Sequence, residues 1–456
     1  MSIDCFVREN KDAIPLIFIE TQLFPHWLEK QSMAVKQWVK TVNFSAKNGS
    51  VCLVPAENNQ LLQVLVGCET INNFWVAGNL SKQLPPGNYY WERSITDEQA
   101  TNIAMSWGLG AYQFNRYKEV PSIKAKLVLP EKKEWIKNYI ESIYWIRDLI
   151  NIPAEELNPG QLAMEAKKLA VNFNAQMTEI IGEELILNNY PAIHAVGRAS
   201  VNPPRLIDIR WGEHTHPKIT LIGKGVCFDT GGLNIKETPY MALMKKDMGG
   251  AAHVLGLAYL IMQARLPIQL RVLIPTAENS ISGNAYRPGD VIKTRKGLTV
   301  EIGNTDAEGR LLLADAMTEA CSEKPALIID FATLTGAARV ALGTEIPALF
   351  TDNETLAQGL LLAAQKSQDP LWRLPLYKPY RRLLDSQIAD INNSSMSNYG
   401  GAITAGLFLK EFVEPSIPWV HIDVMAWNTL TQAGRPEGGE AMGIRAVFEY
   451  LKTTYV

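Results

Sequence analysis

The chain has almost no charge of one sign to spare. Forty-four Lys and Arg face 47 Asp and Glu, a net charge of −3. That excludes the basic footprint expected of a nucleic-acid binder or of a protein held to an anionic membrane surface. Cysteine is scarce, with only Cys5, Cys52, Cys68, Cys227 and Cys321 and no C-x-x-C pair among them. An odd, dispersed set reads as reduced thiols in the cytoplasm, not as a disulfide framework. No uninterrupted apolar run reaches the roughly 18 residues of a spanning helix. The opening "MSIDCFVREN" also lacks the basic and apolar stretches of a signal peptide. Familiar catalytic signatures are missing too. "IGKG" lacks the earlier glycine of a P-loop, no G-x-G-x-x-G opens a helix after a strand, and neither G-x-S-x-G nor H-E-x-x-H occurs. Nucleotide-binding, serine-hydrolase and zincin readings fall away. His194, His214, His216, His253 and His421 are dispersed, and His253, on an apolar helix, reads as a satisfied core residue.

What is present is length and order. The 456 residues exceed one ordinary core, so two domains are expected. In residues 1–130 the runs "IPLIFIE", "VCLVP" and "LLQVLVGC" read as strands. The stretches "FPHWLEKQSMAVKQWVKTV" and "TDEQATNIAMSWGLGAY" have helical spacing. This is a small α/β domain without a catalytic constellation. Residues 131–150 hold apolar side chains at three- and four-residue intervals (Trp135, Ile136, Tyr139, Ile140, Ile143, Ile146), an amphipathic helix joining the domains. Asn158-Pro159-Gly160-Gln161 reads as a helix start, with Asn as cap and Pro in the first turn. Within residues 151–456, strand and helix patterns alternate from about residue 190 onward. "KITLIGKG", "QLRVLIPTAE", "LTVEIG" and "ALIIDFATLTG" are strands, while "GGAAHVLGLAYLIMQARL" and "RLLLADAMTEACSEK" are helices. The expected class is α/β, with a mixed, mainly parallel sheet flanked by helices and chemistry at the carboxyl ends of its strands.

Polar clusters fall at those ends. One holds Lys224, Asp229 and Lys236 around a Gly-rich turn, and a second places Asp247 at the entrance to the buried helix. The third is "NTDAEGR", with Asp306, Glu308 and Arg310. Singly, each carboxylate has a structural explanation: Asn304, Thr305 or Asp306 as a helix cap, Asp247 as another, Asp229 as a turn former. Those readings leave two lysines between apolar segments unexplained, and a buried ammonium needs a partner. In an extended segment Asp306 and Glu308 would point the same way. Adjacent carboxylates repel unless a proton or cation lies between them. An oxygen-rich set with one possible amine ligand admits zinc, manganese, cobalt or magnesium. Four carboxylates suit two dications better than one, at the roughly 3.5–4 Å spacing of two-metal hydrolytic sites. Cys227 reads as a small buried residue.

The segments "NTDAEGRLLLADA", "GKGVCFDTGGLNIK" and "MKKDMGGAAHV" resemble the leucine (cytosol) aminopeptidase family of two-metal peptidases. "RDLINIPAEELNP", "AVGRASVNPPRLI", "FATLTGA" and "GGAITAGLFLKEFV" extend the likeness from Arg147 onward. The resemblance implies one metal on Lys224, Asp229, Asp247 and Glu308 and a more exchangeable one on Asp229, Asp306 and Glu308. It implies a metal-bridged water as nucleophile, Lys236 as electrophile for the oxyanion, and a bicarbonate held by Arg310 as general base. Met244, Asn304, Thr333, Leu334 and Gly336 match substrate-binding positions. Peptides with a free N-terminus, a homohexamer and a cytoplasmic location follow from the same likeness. "CFDTGG" departs from the commoner "TFDSGG", and Met425 and Asn428 replace a smaller residue and a methionine at the pocket wall. A fold-retaining binding protein, for DNA or structure, is one alternative, and a two-metal hydrolase of another bond is a second.

Overall fold

The computed structural model describes residues 3–8, 12–58, 60–92 and 94–456. Part of the opening "MSIDCFVREN", where no signal peptide was expected, lies outside the described residues. The chain forms two compact units. The first is Met1–Tyr144 with Leu430–Glu437, and the second is Trp145–Thr429 with Gly438–Val456. The division falls inside the amphipathic helix Trp135–Asn151. Among the described residues no helix is long and apolar enough to cross a membrane.

The first unit holds β1 (Phe6–Val7), β2 (Ile14–Glu20), β3 (Val51–Pro55), β4 (Leu61–Cys68), β5 (Gly87–Trp91) and β6 (Ala125–Val128). They form one sheet in the order β1-β6-β5-β2-β4-β3, parallel except for β3 against β4. The stretch with helical spacing over 24–42 forms two helices, Phe24–Glu29 and Met33–Thr41. Ser32 divides them because its side chain accepts Val35 N–H and caps the second helix. Phe24, Trp27 and Leu28 of the first helix and Val35 and Val39 of the second pack on Ile17, Ile19 and Leu65 of the sheet. The break lets both short amphipathic pieces reach one core. Thr96 and Gln99 form a reciprocal capping box on the helix Asp97–Gly110.

In the second unit Asn158 caps the helix Pro159–Asn172 as expected, accepting from Gly160 and Gln161 N–H. Its strands are β7 (Gln176–Ile181), β8 (Arg205–Trp211), β9 (Lys218–Gly223), β10 (Gly225–Asp229), β11 (Gln269–Asn279), β12 (Val291–Lys293), β13 (Thr299–Glu301), β14 (Leu327–Ala332), β15 (Ala348–Phe350), β16 (Trp372–Arg373), β17 (Ile391–Asn392) and β18 (Trp419–Asp423), with a two-residue pair at Trp427–Asn428 and Gly438–Gly439. The principal sheet runs β16-β15-β18-β14-β9-β11-β8-β7, with β10 also on β11. β18, β14, β9, β11 and β10 are mutually parallel, while β7, β8 and β15 join antiparallel. The sheet is mixed and mainly parallel. The parallel core strands are nearly continuous apolar runs, because helices cover them: Gly249–Gln263 is buried on almost every side and Gly309–Ser322 nearly so. "LTVEIG" does not join this sheet. Its strand β13 pairs β12 and β17 in a separate three-stranded sheet.

Candidate metal centre

Five parallel strands deliver polar residues to the same edge of the sheet. Lys224 follows β9, Asp229 ends β10, Asn279 ends β11, Thr333 follows β14 and Asp423 ends β18. Parallel strands bring their carboxyl ends together, which is why residues far apart in sequence meet there.

Lys224 is 2% exposed. Its Nζ donates to Asp247 Oδ1 and to the Thr333 carbonyl, both at 2.9 Å, and lies 2.9 Å from Glu308 Oε1. Lys236 Nζ lies 2.8 Å from Asp229 Oδ2 and contacts Asp306 Oδ1. Asp229 Oδ1 accepts Gly231 N–H and Asn279 Nδ2, each at 2.8 Å. The turn expected of Asp229 therefore forms, and it needs glycine: Gly231 and Gly232 have φ of +86° and +64°. Thr333 Oγ1 lies 2.8 Å from both Asp247 Oδ1 and Asp247 O. One ligand-type oxygen each from Asp229, Asp306 and Glu308 falls within 4.8 Å of the others.

The convergence of Asp306 and Glu308 has a different origin from extended alternation. Residues 305–306 form a turn, and Glu308 has helical angles of φ −74° and ψ −37°. Asn304 Oδ1 accepts Asp306 N–H at 2.8 Å, and Thr305 Oγ1 donates to Gly231 O at 2.6 Å. These bonds lock the turn against the Asp229 loop. The capping expectations also fail. The residue at the cap position of Gly309–Ser322 is Glu308, and at that of Gly249–Gln263 it is Met248, and neither side chain caps. Asp306 and Asp247 are thus not spent on helix ends.

Four carboxylates against two ammoniums leave a local excess of negative charge. Burial, with Asp247 alongside, pushes Asp229 up to about 6. Burial and Asp229 push Glu308 well above the usual carboxylate range. Burial alone would lower Lys224 and Lys236, yet the Asp247 and Asp229 carboxylates respectively lead the groups that raise them. Asp247 Oδ2, Asp306 Oδ1 and Glu308 Oε1 are buried without a hydrogen-bond partner. An ammonium approaches each of them, but off the hydrogen-bonding direction. Unsatisfied buried carboxylate oxygens fit divalent cations. Asp306 and Glu308 belong to the close group with Asp229, while Asp247 stands outside it and is linked to Glu308 through Lys224 Nζ.

Arg310, in the first turn of its helix, donates from Nη1 to Asn393 O at 2.6 Å, and its Nε has no hydrogen-bond partner. Burial lowers it to about 10. Met244 is half-buried at the start of the short helix Met244–Met248. Asn393 Nδ2 donates to Asn304 O at 2.8 Å, so Asn304 shapes the turn on both sides. Leu334 N–H donates to Asp423 at 2.9 Å, and Gly336 opens the helix Gly336–Leu342. Asn428 donates to Glu440 at 2.6 Å, and Glu440 in turn holds the buried Arg147. Sequence reasoning missed Asn279, Asn393 and Asp423. For Asn279 and Asp423 the available signal was a polar residue closing a mostly apolar strand at its carboxyl end, whereas Asn393 follows the two-residue β17 and carried no such signal. Cys227 is buried, as expected, and His253 donates from Nδ1 to Gly249 O while accepting Met442 N–H at Nε2.

A family model described as the cytosol aminopeptidase family, catalytic domain, matches residues 144–448, and one for the M17 aminopeptidase N-terminal domain matches residues 14–130. A probable cytosol aminopeptidase of Roseiflexus castenholzii is 44% identical over 311 residues, which is 67% of this chain and 63% of that one. The crystal structure of a cytosol aminopeptidase from Coxiella burnetii is 50% identical with a TM-score of 0.97, covering 99% of this chain and 100% of that one. The bottromycin maturation enzyme BotP in complex with Mn is 31% identical with a TM-score of 0.88, covering 97% and 99% of the two chains.

Proposed function

The chain belongs to the cytosol aminopeptidase family of hydrolases, and from that premise we propose that it is a metal-dependent aminopeptidase releasing the N-terminal residue of peptides. The observation that carries this reading is the meeting of Asp229, Asp306 and Glu308 oxygens within 4.8 Å. Lys224, Asp229, Asp247 and Glu308 would hold one divalent ion, and Asp229, Asp306 and Glu308 a second. Zinc or manganese suits this set best, with magnesium or cobalt also admissible. The manganese complex of the related BotP supports the choice. Such ions supply Lewis acidity that polarises a peptide carbonyl and acidifies water.

The chain's own residues do the rest. Lys236, held between Asp229 and Asp306, offers an ammonium to the oxyanion of a tetrahedral intermediate. Lys224 can ligate only when neutral, a form that a neighbouring dication favours. Asp247 receives the substrate's free α-amine. The unsatisfied Nε–H of Arg310 suits a bicarbonate, which would accept the proton that no nearby histidine can take. Leu334, whose N–H is committed to Asp423, presents its carbonyl to the peptide, with Thr333, Gly336, Met244 and Asn304 lining the site. On this reading residues 1–130 are the accessory domain, 131–150 the linking helix and 151–456 the catalytic domain, with Leu430–Glu437 as a strip of that last stretch that belongs to the first compact unit. The names of the relatives support a cytoplasmic location, and family resemblance supports a homohexamer.

The test is metal depletion. Chelation should abolish hydrolysis of leucyl and methionyl amides, and manganese or zinc should restore it. Asp306→Ala should lower bound metal from two ions to one while the chain stays folded. Full activity in metal-free protein would sink the reading.

A further inference from the structure

The segment Thr333–Thr335 leaves β14 and forms no strand of its own, yet nearly every polar group it owns is engaged. Its first residue faces the candidate metal centre: the Thr333 carbonyl accepts Lys224 Nζ at 2.9 Å, and its hydroxyl lies 2.8 Å from Asp247 Oδ1. Its next two residues turn to a single carboxylate. Asp423 accepts Leu334 N–H at 2.9 Å, Thr335 N–H at 3.1 Å and the Thr335 hydroxyl at 2.7 Å. Thr335 Oγ1 accepts in turn from Ala338 N–H at 3.1 Å, so the same bond set also starts the helix Gly336–Leu342.

Asp423 is itself rigidly mounted. It closes β18, in register with Ala332 of β14, and is 2% exposed. The Arg339 guanidinium contacts Asp423 Oδ1, Thr335 O and Val424 O. One ion pair thus spans the segment and the strand beneath it. Burying a carboxylate is costly unless it is paired and hydrogen-bonded, and this one receives three donors from the segment besides the arginine. Such expenditure of buried polar groups makes one backbone conformation of 333–335 strongly preferred over others.

Resting on the aminopeptidase reading above, we propose that Asp423 is a positioning residue: through Leu334 and Thr335 it sets the Thr333 groups that orient Lys224 and Asp247, and so tunes metal binding and peptide placement. Asp423 touches neither a metal ligand nor a substrate in this assignment. It acts through the backbone, in the way that outer partners orient metal ligands.

The closing experiment compares the full chain with Asp423→Asn and Thr335→Val. Zinc or manganese is titrated calorimetrically into metal-depleted protein, and kcat and KM are measured on leucyl amide with metal saturating. Asp423→Asn should weaken the tighter metal step by about 10–100-fold, the range for outer-shell partners, and raise KM. Thr335→Val, which removes one donor and leaves the carboxylate, should weaken it less and in the same step. The melting temperature of the metal-free protein marks folding separately. A folded Asp423→Asn with unchanged metal affinity and KM overturns the proposal. So does a folded Thr335→Val with both values unchanged, should Asp423→Asn fail to fold. Failure of the unsubstituted chain to bind metal or cleave the amide would instead overturn the aminopeptidase reading.

Discussion

Gly309 lacks a side chain where Lys224 needs the space. A Cβ at that position would lie 2.5 Å from Lys224 Cε and 2.8 Å from its Nζ. Alanine would favour a helix by about 1 kcal/mol over glycine, so the glycine of "AEGR" reflects the close approach of a lysine and not helix formation. His253 shows the opposite use of burial. Its Nδ1 donates to Gly249 O at 2.6 Å and its Nε2 accepts Met442 N–H at 2.9 Å, so the neutral ring is fully used. Burial lowers its pKa to about 4. The folded state therefore binds the proton less readily than the unfolded chain, whose histidine titrates near 6.5. The stabilisation is present above pH 6.5 and is lost as pH falls towards 4. This group alone should cost about 2 kcal/mol between pH 7 and pH 5. Urea midpoints across that range, for the unsubstituted chain and for His253→Gln, would read it. The substituted chain should show the shallower slope, and equal slopes would contradict the assignment.

Elements with strong local signals were legible in the sequence. β2, β3 and β4 coincide with "IPLIFIE", "VCLVP" and "LLQVLVGC", because apolar runs bounded by turn residues leave little choice. Asn158 is a comparable case at a helix start, where cap and proline agree. Asn158→Ala should cost about 1 kcal/mol, measured as a shift in the urea midpoint, and no shift would mean that the cap contributes nothing. The carboxylates and lysines of the site were legible as a set, because buried charges need one another. What stayed hidden depends on register. β18 reads "WVHID", and only its pairing with β14 reveals that Asp423 stands beside Ala332 at the sheet edge. The turn at Asn304–Asp306 was hidden for the same reason. It is held by bonds to Asn234, Gly231, Asn279 and Asn393, none of which is local.

At the scale of the molecule, the first unit is not one stretch of chain, since it includes Leu430–Glu437. That segment is short but well held. Gly434 N–H donates to Gly78 O at 3.1 Å, and the Arg435 guanidinium stacks 5.2 Å from the Trp75 ring centroid. Gly78 permits the approach, because a Cβ there would lie 2.5 Å from Gly434 N. On either side of the segment, Trp427–Asn428 and Gly438–Gly439 pair antiparallel, so it forms the tip of a hairpin. A polypeptide of residues 1–144 should melt lower than the same polypeptide given a synthetic 430–437 peptide, since a ligand that binds only the folded form stabilises it. No rise in melting temperature at saturating peptide would show that the segment adds nothing. The arrangement also has a consequence in time. During translation the bulk of the first unit emerges before the second, but the strip of chain that completes it is made only after residues 145–429. Until then Trp75 and Gly78 wait without it, so a ribosome that stalls anywhere in the catalytic sequence releases a product with both units unfinished.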